Sequence, residues 1–375
     1  MKHILALGFL FVAAGPLAAS ERLLTQHVYE SASEYLFPIP TLDELIEDFG
    51  YNDAQIELGR HLYFEKRVSK DENISCATCH GLDTGGVDLL PTSIGHDGQK
   101  GSRNAPTVYN AVLNIEQFWD GRAPDLSAQA KGPVENPIEM ANTREAVIET
   151  LKAIPGYVAL FDQAFPADPD PVTFDNFATA IAAFETTLLT PSRFDQFLQG
   201  DFNALSIGEK VGLDIFVNLG CVECHNGYNI GGGNFQRFGA VREPAKSHRP
   251  PEDVGLAAVS GDPADTFVFR VPSLRNIAET GPYFHTGSAN TLEEAIQVMA
   301  QVQLGTGLSS GDTALLIEFL HTLTGDLPRI AMPDPLPKPD PAPDVQPDPE
   351  ISKAMISSLS HPAGRSALAG VVLRD

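Results

Sequence analysis

Cys76-Ala-Thr-Cys79-His80 and Cys221-Val-Glu-Cys224-His225 use all four cysteines of the chain, and each has the Cys-x-x-Cys-His spacing of covalent c-type haem attachment. In such a motif the two thiols add across the vinyl groups of one haem, and the histidine that follows is held under the iron as its proximal ligand. Two covalently bound c-type haems are therefore predicted, one on Cys76, Cys79 and His80, the other on Cys221, Cys224 and His225. Zinc and disulfides are the competing readings. A zinc site needs four closing ligands in one place, and a disulfide framework gives no reason for a histidine directly after both pairs.

The flanks of the motifs repeat as well. Gly59-Arg60-His61-Leu62-Tyr63-Phe64 precedes the first and Gly212-Leu213-Asp214-Ile215-Phe216 the second, each closing a short amphipathic helix. Arg103-Asn104-Ala105-Pro106 and Arg270-Val271-Pro272 follow. Phe118-Trp119-Asp120-Gly121-Arg122-Ala123 then aligns with Phe284-His285-Thr286-Gly287-Ser288-Ala289. The motif histidines lie 145 positions apart (225 minus 80), so each half receives one haem. Helical periodicity marks 42–63, 143–153, 173–189, 207–218, 292–299 and 310–323, with glycine- and proline-rich loops between and little sheet signal. The predicted fold class is mainly α: two tandem class I cytochrome c-like domains, each around one c-type haem, which replaces much of a side-chain core.

Residues 1–20 read as a signal peptide. Met1-Lys2-His3 leads into the apolar run 4–14, with Ala18, Ala19 and Ser20 at the cleavage site, and the run is too short to span a bilayer. Export to the periplasm without a membrane span is expected. The first domain is then expected at 21–190, the second at 191–330, and a Pro/Asp-rich strap and C-terminal tail at 331–375. Between Pro333 and Pro349, 8 of 17 residues are proline, which implies extended polyproline II without a core. The last residues read either as a short docked helix or as a poorly ordered terminus. With 49 acidic against 25 basic side chains and a formal charge of −24, nucleic acid is excluded as a natural partner, and a basic redox protein fits better.

The sixth iron ligands decide what each haem does, because an iron with two strong protein ligands passes electrons while an openable one binds small oxidants. Met299 is the sixth ligand chosen for the second haem. It lies in the helix after Tyr283-Phe284-His285, and class I cytochromes carry a ligand methionine well after the haem motif. The first half has no matching methionine: Met140 stands 21 residues after Trp119 (140 minus 119), whereas Met299 stands 14 after His285 (299 minus 285). His96, 16 residues after His80 (96 minus 80) in the loop Gly95-His96-Asp97-Gly98-Gln99-Lys100-Gly101, reads either as a removable ligand on rearrangeable backbone or as an ordinary loop histidine.

Longer motifs between Leu36 and Pro328 resemble the bacterial dihaem cytochrome c peroxidases, related to the MauG-type enzymes. They include Leu90-Pro91-Thr92-Ser93, Arg103-Asn104-Ala105-Pro106-Thr107, Gln117-Phe118-Trp119-Asp120-Gly121-Arg122-Ala123, Gly132-Pro133-Val134-Glu135-Asn136-Pro137-Ile138-Glu139-Met140 and Pro282-Tyr283-Phe284-His285. The tail after Pro333 falls outside the resemblance. The resemblance implies a low-potential peroxidatic haem in the first domain, with His80 proximal and His96 distal in the oxidised resting state. It implies a high-potential electron-transfer haem on His225 and Met299, with Trp119 between the two. It also implies calcium between the domains, on the asparagine at Asn104, the carbonyls at Thr280 and Pro282, and waters. Glu139 is the implied general acid/base on peroxide, with Gln129 positioning it, and the donor is a small cytochrome c or a cupredoxin. The family often dimerises, though no feature of this sequence establishes a homodimer. Two other classes compete: a MauG-like enzyme that oxidises a partner protein, against which Met299 argues because those enzymes carry tyrosine there, and a dihaem electron carrier or sensor without turnover, against which Glu139, Gln129 and the His96 loop argue.

Overall fold

The computed structural model describes residues 16–337; the apolar run before residue 16 and the tail beyond residue 337 lie outside the described residues. In chain order the helices are α1 (Pro16–Ser33), α2 (Leu42–Phe49), α3 (Asp53–Phe64), α4 (Cys76–Cys79), α5 (Leu126–Glu135), α6 (Arg144–Lys152) and α7 (Pro155–Ala164). They continue with α8 (Phe174–Thr186), α9 (Arg193–Leu198), α10 (Ile207–Asn218), α11 (Ala257–Ser260), α12 (Leu292–Gln303) and α13 (Ser310–His321). A small antiparallel ribbon, β1 (Phe235–Arg237) with β2 (Val268–Arg270), pairs Phe235 with Arg270. The chain is mainly helical.

Two helix pairs carry the two motifs. Helix α3 packs on α8, and α10 packs on α13. A Cβ on Gly59 would collide with the Ala180 carbonyl oxygen and Phe184 Cβ, and one on Gly212 with the Leu315 carbonyl oxygen and Phe319 Cβ. The partners have the same spacing, four residues apart on the facing helix, so both pairs cross in the same register, backbone against backbone. Only glycine permits that approach. Around the first crossing, Leu58, Leu62, Val147, Phe161, Phe177 and Ile181 form one core; around the second, Phe194, Phe197, Leu213, Phe216, Phe319 and Leu320 form another.

Three sequence expectations change here. The helix expected over 42–63 is two helices: Gly50 adopts φ 70° and closes α2 by donating to the Ile46 carbonyl at 2.9 Å, and Asn52 with Gln55 caps α3 reciprocally. Helix α5 was not anticipated, because Gly132 and Pro133 lower its intrinsic propensity. The first unit, expected to begin at 21, does not include α1. Val28, Ala32 and the following Leu36 are buried in the second core, where α1 packs on α10. Leu36 bridges Gly227, and the Ile39 amide donates to Asp195 Oδ1 at 2.9 Å. The stripe Leu24, Val28, Ala32 runs at helical spacing and needs cover, and chain order alone does not say which half provides it.

The halves meet at a symmetric knot. Asn110 and Asn276, both buried and both with left-handed φ (58° and 59°), donate their amide N–H groups to the same Thr190 hydroxyl at 2.6 and 2.8 Å. They are 166 positions apart (276 minus 110), as are the left-handed Phe118 and Phe284 (284 minus 118). Since the motifs repeat at 145, the second half carries 21 extra residues (166 minus 145) between its motif and this turn, the stretch that contains the β-ribbon and α11. After α13 the chain returns across the first half: Arg60 Nη1 donates to the Ala331 carbonyl at 2.7 Å and Arg67 Nη1 to that of Leu336 at 2.8 Å.

Candidate active site

Each Cys-x-x-Cys-His motif opens onto its own cavity. At the first, the Ser75 amide donates to Thr78 Oγ1 at 2.9 Å and starts α4, and Tyr63 Oη donates to the His80 carbonyl at 2.6 Å, fastening α3 to the histidine. His80 Nδ1 lies 3.2 Å from the Gly86 carbonyl, and His225 Nδ1 lies 3.4 Å from that of Ile230. A ring that donates from Nδ1 keeps a bare lone pair at Nε2, the tautomer an iron ligand requires. Burial pushes His225 down to about 4 and His80 below its ordinary value, so both rings are neutral. The four cysteines are unpaired thiols, and burial pushes Cys79 and Cys221 up to about 11. None of them belongs to a metal-binding cluster; among the described residues the one such grouping is Asp71, His96 and Asp97. Among the described residues the cysteines form no disulfide and join no such grouping.

Haem fits both places. In each, a pair of free thiols and a tautomer-fixed histidine line one cavity: Cys76, Cys79 and His80 in the first, Cys221, Cys224 and His225 in the second. The second cavity is walled largely by apolar groups such as Phe216, Phe238, Leu292, Ile296 and Leu316, and Met299 on α12 lines it together with His225. Met299 places one thioether in that mostly apolar lining. The first cavity is chemically different. Arg122, Gln129, Glu139 and Glu185 all line it.

Of the residues expected in the peroxidatic site, Glu139, Gln129 and Trp119 come together in the first cavity. Asn136 Nδ2 donates to Glu139 Oε1 at 2.7 Å and fixes the carboxylate. Burial raises the Glu139 pKa above the ordinary carboxylate value, with the Arg122 charge and the Asn136 hydrogen bond opposing it. Arg122 itself is held by Asp120 Oδ1 at 2.9 Å and lies 3.4 Å over the Phe118 ring. Trp119 lines both cavities, its indole N–H donating to the Asn104 carbonyl at 2.9 Å. Met140 is a buried member of the first core and also borders the first cavity.

His96 is placed differently. It does not line the first cavity: its Nδ1 is 3.1 Å from Asp71 Oδ2, its Nε2 is 3.3 Å from Asp97 Oδ2 and 3.5 Å from Lys70 Nζ. Its backbone N–H donates to the Ile138 and Glu139 carbonyls at 3.0 and 2.9 Å, so its loop is fastened to the segment that carries Glu139. Asn104 lines both cavities, with Thr280 and Pro282 on the wall of the second. Asn104 Nδ2 donates to the Leu90 carbonyl at 2.9 Å, which turns its amide oxygen free of a described partner.

Sequence reasoning missed three groups. Glu185 is buried on α8 in the first cavity, and burial pushes its carboxyl up to about 8. His285 is buried with its Nε2 lacking a hydrogen bond and stacks on Phe269 at 4.3 Å. Arg270 is buried and lines both cavities. His285 and Arg270 stood in repeated motifs, so their positions were visible; nothing in the sequence tells that the fold buries them.

Residues 53–203 match the family model described as di-haem cytochrome c peroxidase. The chain is 46% identical over 334 residues to cytochrome c551 peroxidase of Pseudomonas aeruginosa, spanning 88% of this chain and 95% of that one. It is 43% identical over 330 residues to cytochrome c551 peroxidase of Nitrosomonas europaea, spanning 88% and 92% respectively. A solved MauG-like protein associated with microbial copper homeostasis superposes with a TM-score of 0.68 at 28% identity, over 78% of this chain and 93% of that one. With two haem-binding cavities and these relatives, the chain belongs to the MauG-related di-haem cytochrome c peroxidase family and is a peroxidase enzyme with two haems.

Proposed function

We propose that the first cavity reduces hydrogen peroxide to water and that the second receives the electrons, from a small cytochrome c or a cupredoxin. The observation that carries this is the asymmetry of the cavities: proton-handling groups line the first, a methionine and apolar walls the second. His80, Cys76 and Cys79 would hold the first haem, and His225, Cys221, Cys224 and Met299 the second. Bound there, the haems supply redox-active iron for O–O cleavage and for electron storage.

The chain's own residues handle the protons. Glu139 takes a proton from the incoming peroxide and delivers it to the departing oxygen, which leaves as water; the overall balance is one peroxide, two electrons and two protons to two waters. Asn136 aims the carboxylate, burial keeps it basic enough to accept the proton, and Gln129 holds the peroxide in line. Arg122 favours the negative charge that develops on the departing oxygen. Trp119 on the shared wall is the natural route between the haems.

His96 regulates access. It would be a removable ligand to the first haem, and its contacts with Asp71 and Asp97 give the ring a seat away from the cavity. Asn104 Oδ1 and the Thr280 and Pro282 carbonyls would hold calcium, an all-oxygen donor set drawn from both halves that suits a hard cation, which would supply coupling between them. The halves are tandem cytochrome c-like domains, the second including α1. Among the described residues no helix is long and apolar enough to cross a membrane, in keeping with a periplasmic protein exported by its leader. Glu139→Gln tests the reading: with both haems attached, peroxide kcat/KM falls about 100-fold or more. An unchanged rate would remove Glu139 from the mechanism.

A further inference from the structure

Arg270 closes β2 at the wall between the two cavities and is 3% exposed. Its backbone N–H donates to the Trp119 carbonyl at 2.9 Å and its Nε to the Phe118 carbonyl at 3.2 Å, so the guanidinium is aimed by the segment that separates the cavities. Its two Nη groups have no partner among the described residues. The other buried arginines are paired: Arg275 (1% exposed) binds Asp195 in a fork at 2.8 and 2.9 Å, and Arg249 (6%) reaches Glu243 at 3.1 Å. The half-buried Arg103 binds Asp120 and Asp253. For Arg270 no nearby carboxylate offsets the loss of water, and burial alone draws it down to about 10. Of the charged groups lining the first cavity, Asp120 is committed to Arg103 and Arg122, and Glu139 accepts from Asn136; Glu185 is kept protonated by burial, and on the second side His285 is neutral.

A buried cation without a counter-charge is costly, and a planar fork of free N–H groups is matched by a carboxylate. Each haem brings two carboxylate arms, and in the shared wall Arg270 offers them Nη groups with no partner among the described residues. We propose that Arg270 receives a carboxylate arm of a bound haem at the wall between the cavities and that its positive charge raises the reduction potential of that haem. The proposal rests on haem filling both cavities, which pyridine haemochrome quantification checks separately as two haems per chain.

A crystal structure of the holoenzyme and potentiometric titration of Arg270→Gln and Arg270→Lys test it. The structure is expected to hold an Arg270 Nη within hydrogen-bond distance of a haem carboxylate oxygen; Nη groups bonded only to water or protein overturn the assignment. In fully loaded Arg270→Gln at least one midpoint potential shifts downward, and Arg270→Lys, which keeps the charge, shifts less. Two unchanged potentials in Arg270→Gln overturn the electrostatic role. Where Arg270→Gln fails to mature, the propionate bending mode in the resonance Raman spectrum of Arg270→Lys decides: it shifts when the fork is lost, and an unshifted mode contradicts the contact.

Discussion

If Glu139 carries the proton chemistry as proposed, its environment predicts a pH signature. Burial raises its pKa, so the carboxylate form needed to accept a proton from peroxide disappears at a higher pH than for an exposed glutamate. The kcat/KM profile for peroxide should fall on its acid side through that raised pKa, and Glu139→Gln should abolish the limb along with most of the rate. Glu185 behaves differently. Its folded pKa is pushed to about 8 from 4.5, so between those values the folded chain binds a proton the unfolded chain has lost. Stability contributed by this group is therefore present at acid pH and is lost as pH rises through that window. Thermal unfolding of the holoenzyme from pH 5 to 9 should show a steeper decline in the native chain than in Glu185→Gln; parallel curves would contradict this. At this scale the haem anchors were legible because covalent attachment demands fixed spacing. Glu139 and Gln129 were reached through family likeness and Met299 through its place after the second motif, while Glu185 was not legible, since a glutamate in a helix reads as a solvated face until packing buries it.

The helix pairs are the elements that set each cavity's shape, and each depends on one glycine. Gly212→Ala puts a methyl against the Leu315 carbonyl and Phe319, and should cost about 1–3 kcal/mol of overpacking in the second half. The expected outcome is reduced occupancy of the second haem with the first retained, read by pyridine haemochrome and by mass of the separated halves after proteolysis. Equal loss of both haems would mean that the pairs are not separate units. The periodic helices were legible because their apolar faces repeat at helical spacing; α5 was not, because glycine and proline obscured it. Gly50 shows the opposite case. Its break between α2 and α3 stood in the sequence, followed by the Asn52-x-x-Gln55 capping box, and continuous periodicity on both sides hid it.

Across the whole molecule, the two halves act as one because they are tied at a few points: the Thr190 knot, the Trp119 and Arg270 wall, and the strap over Arg60 and Arg67. Thr190→Val removes the hydroxyl that accepts from both Asn110 and Asn276, leaving two buried N–H groups unsatisfied at about 1–3 kcal/mol each. A lower melting temperature with two haems still bound is expected; an unchanged one would show that the knot contributes nothing. Duplication was legible in the order of motifs, whereas the knot and the crossing of α1 to the second half were not, because long-range partners leave no local pattern. The proposed division of labour has the second haem reduced before the first opens. It is tested most directly by peroxide-dependent oxidation of reduced cytochrome c by the haem-loaded protein, fully oxidised against half-reduced and calcium-treated. Turnover that rises strongly on half-reduction is the predicted result. No turnover in either state, with both irons remaining low-spin, would contradict it.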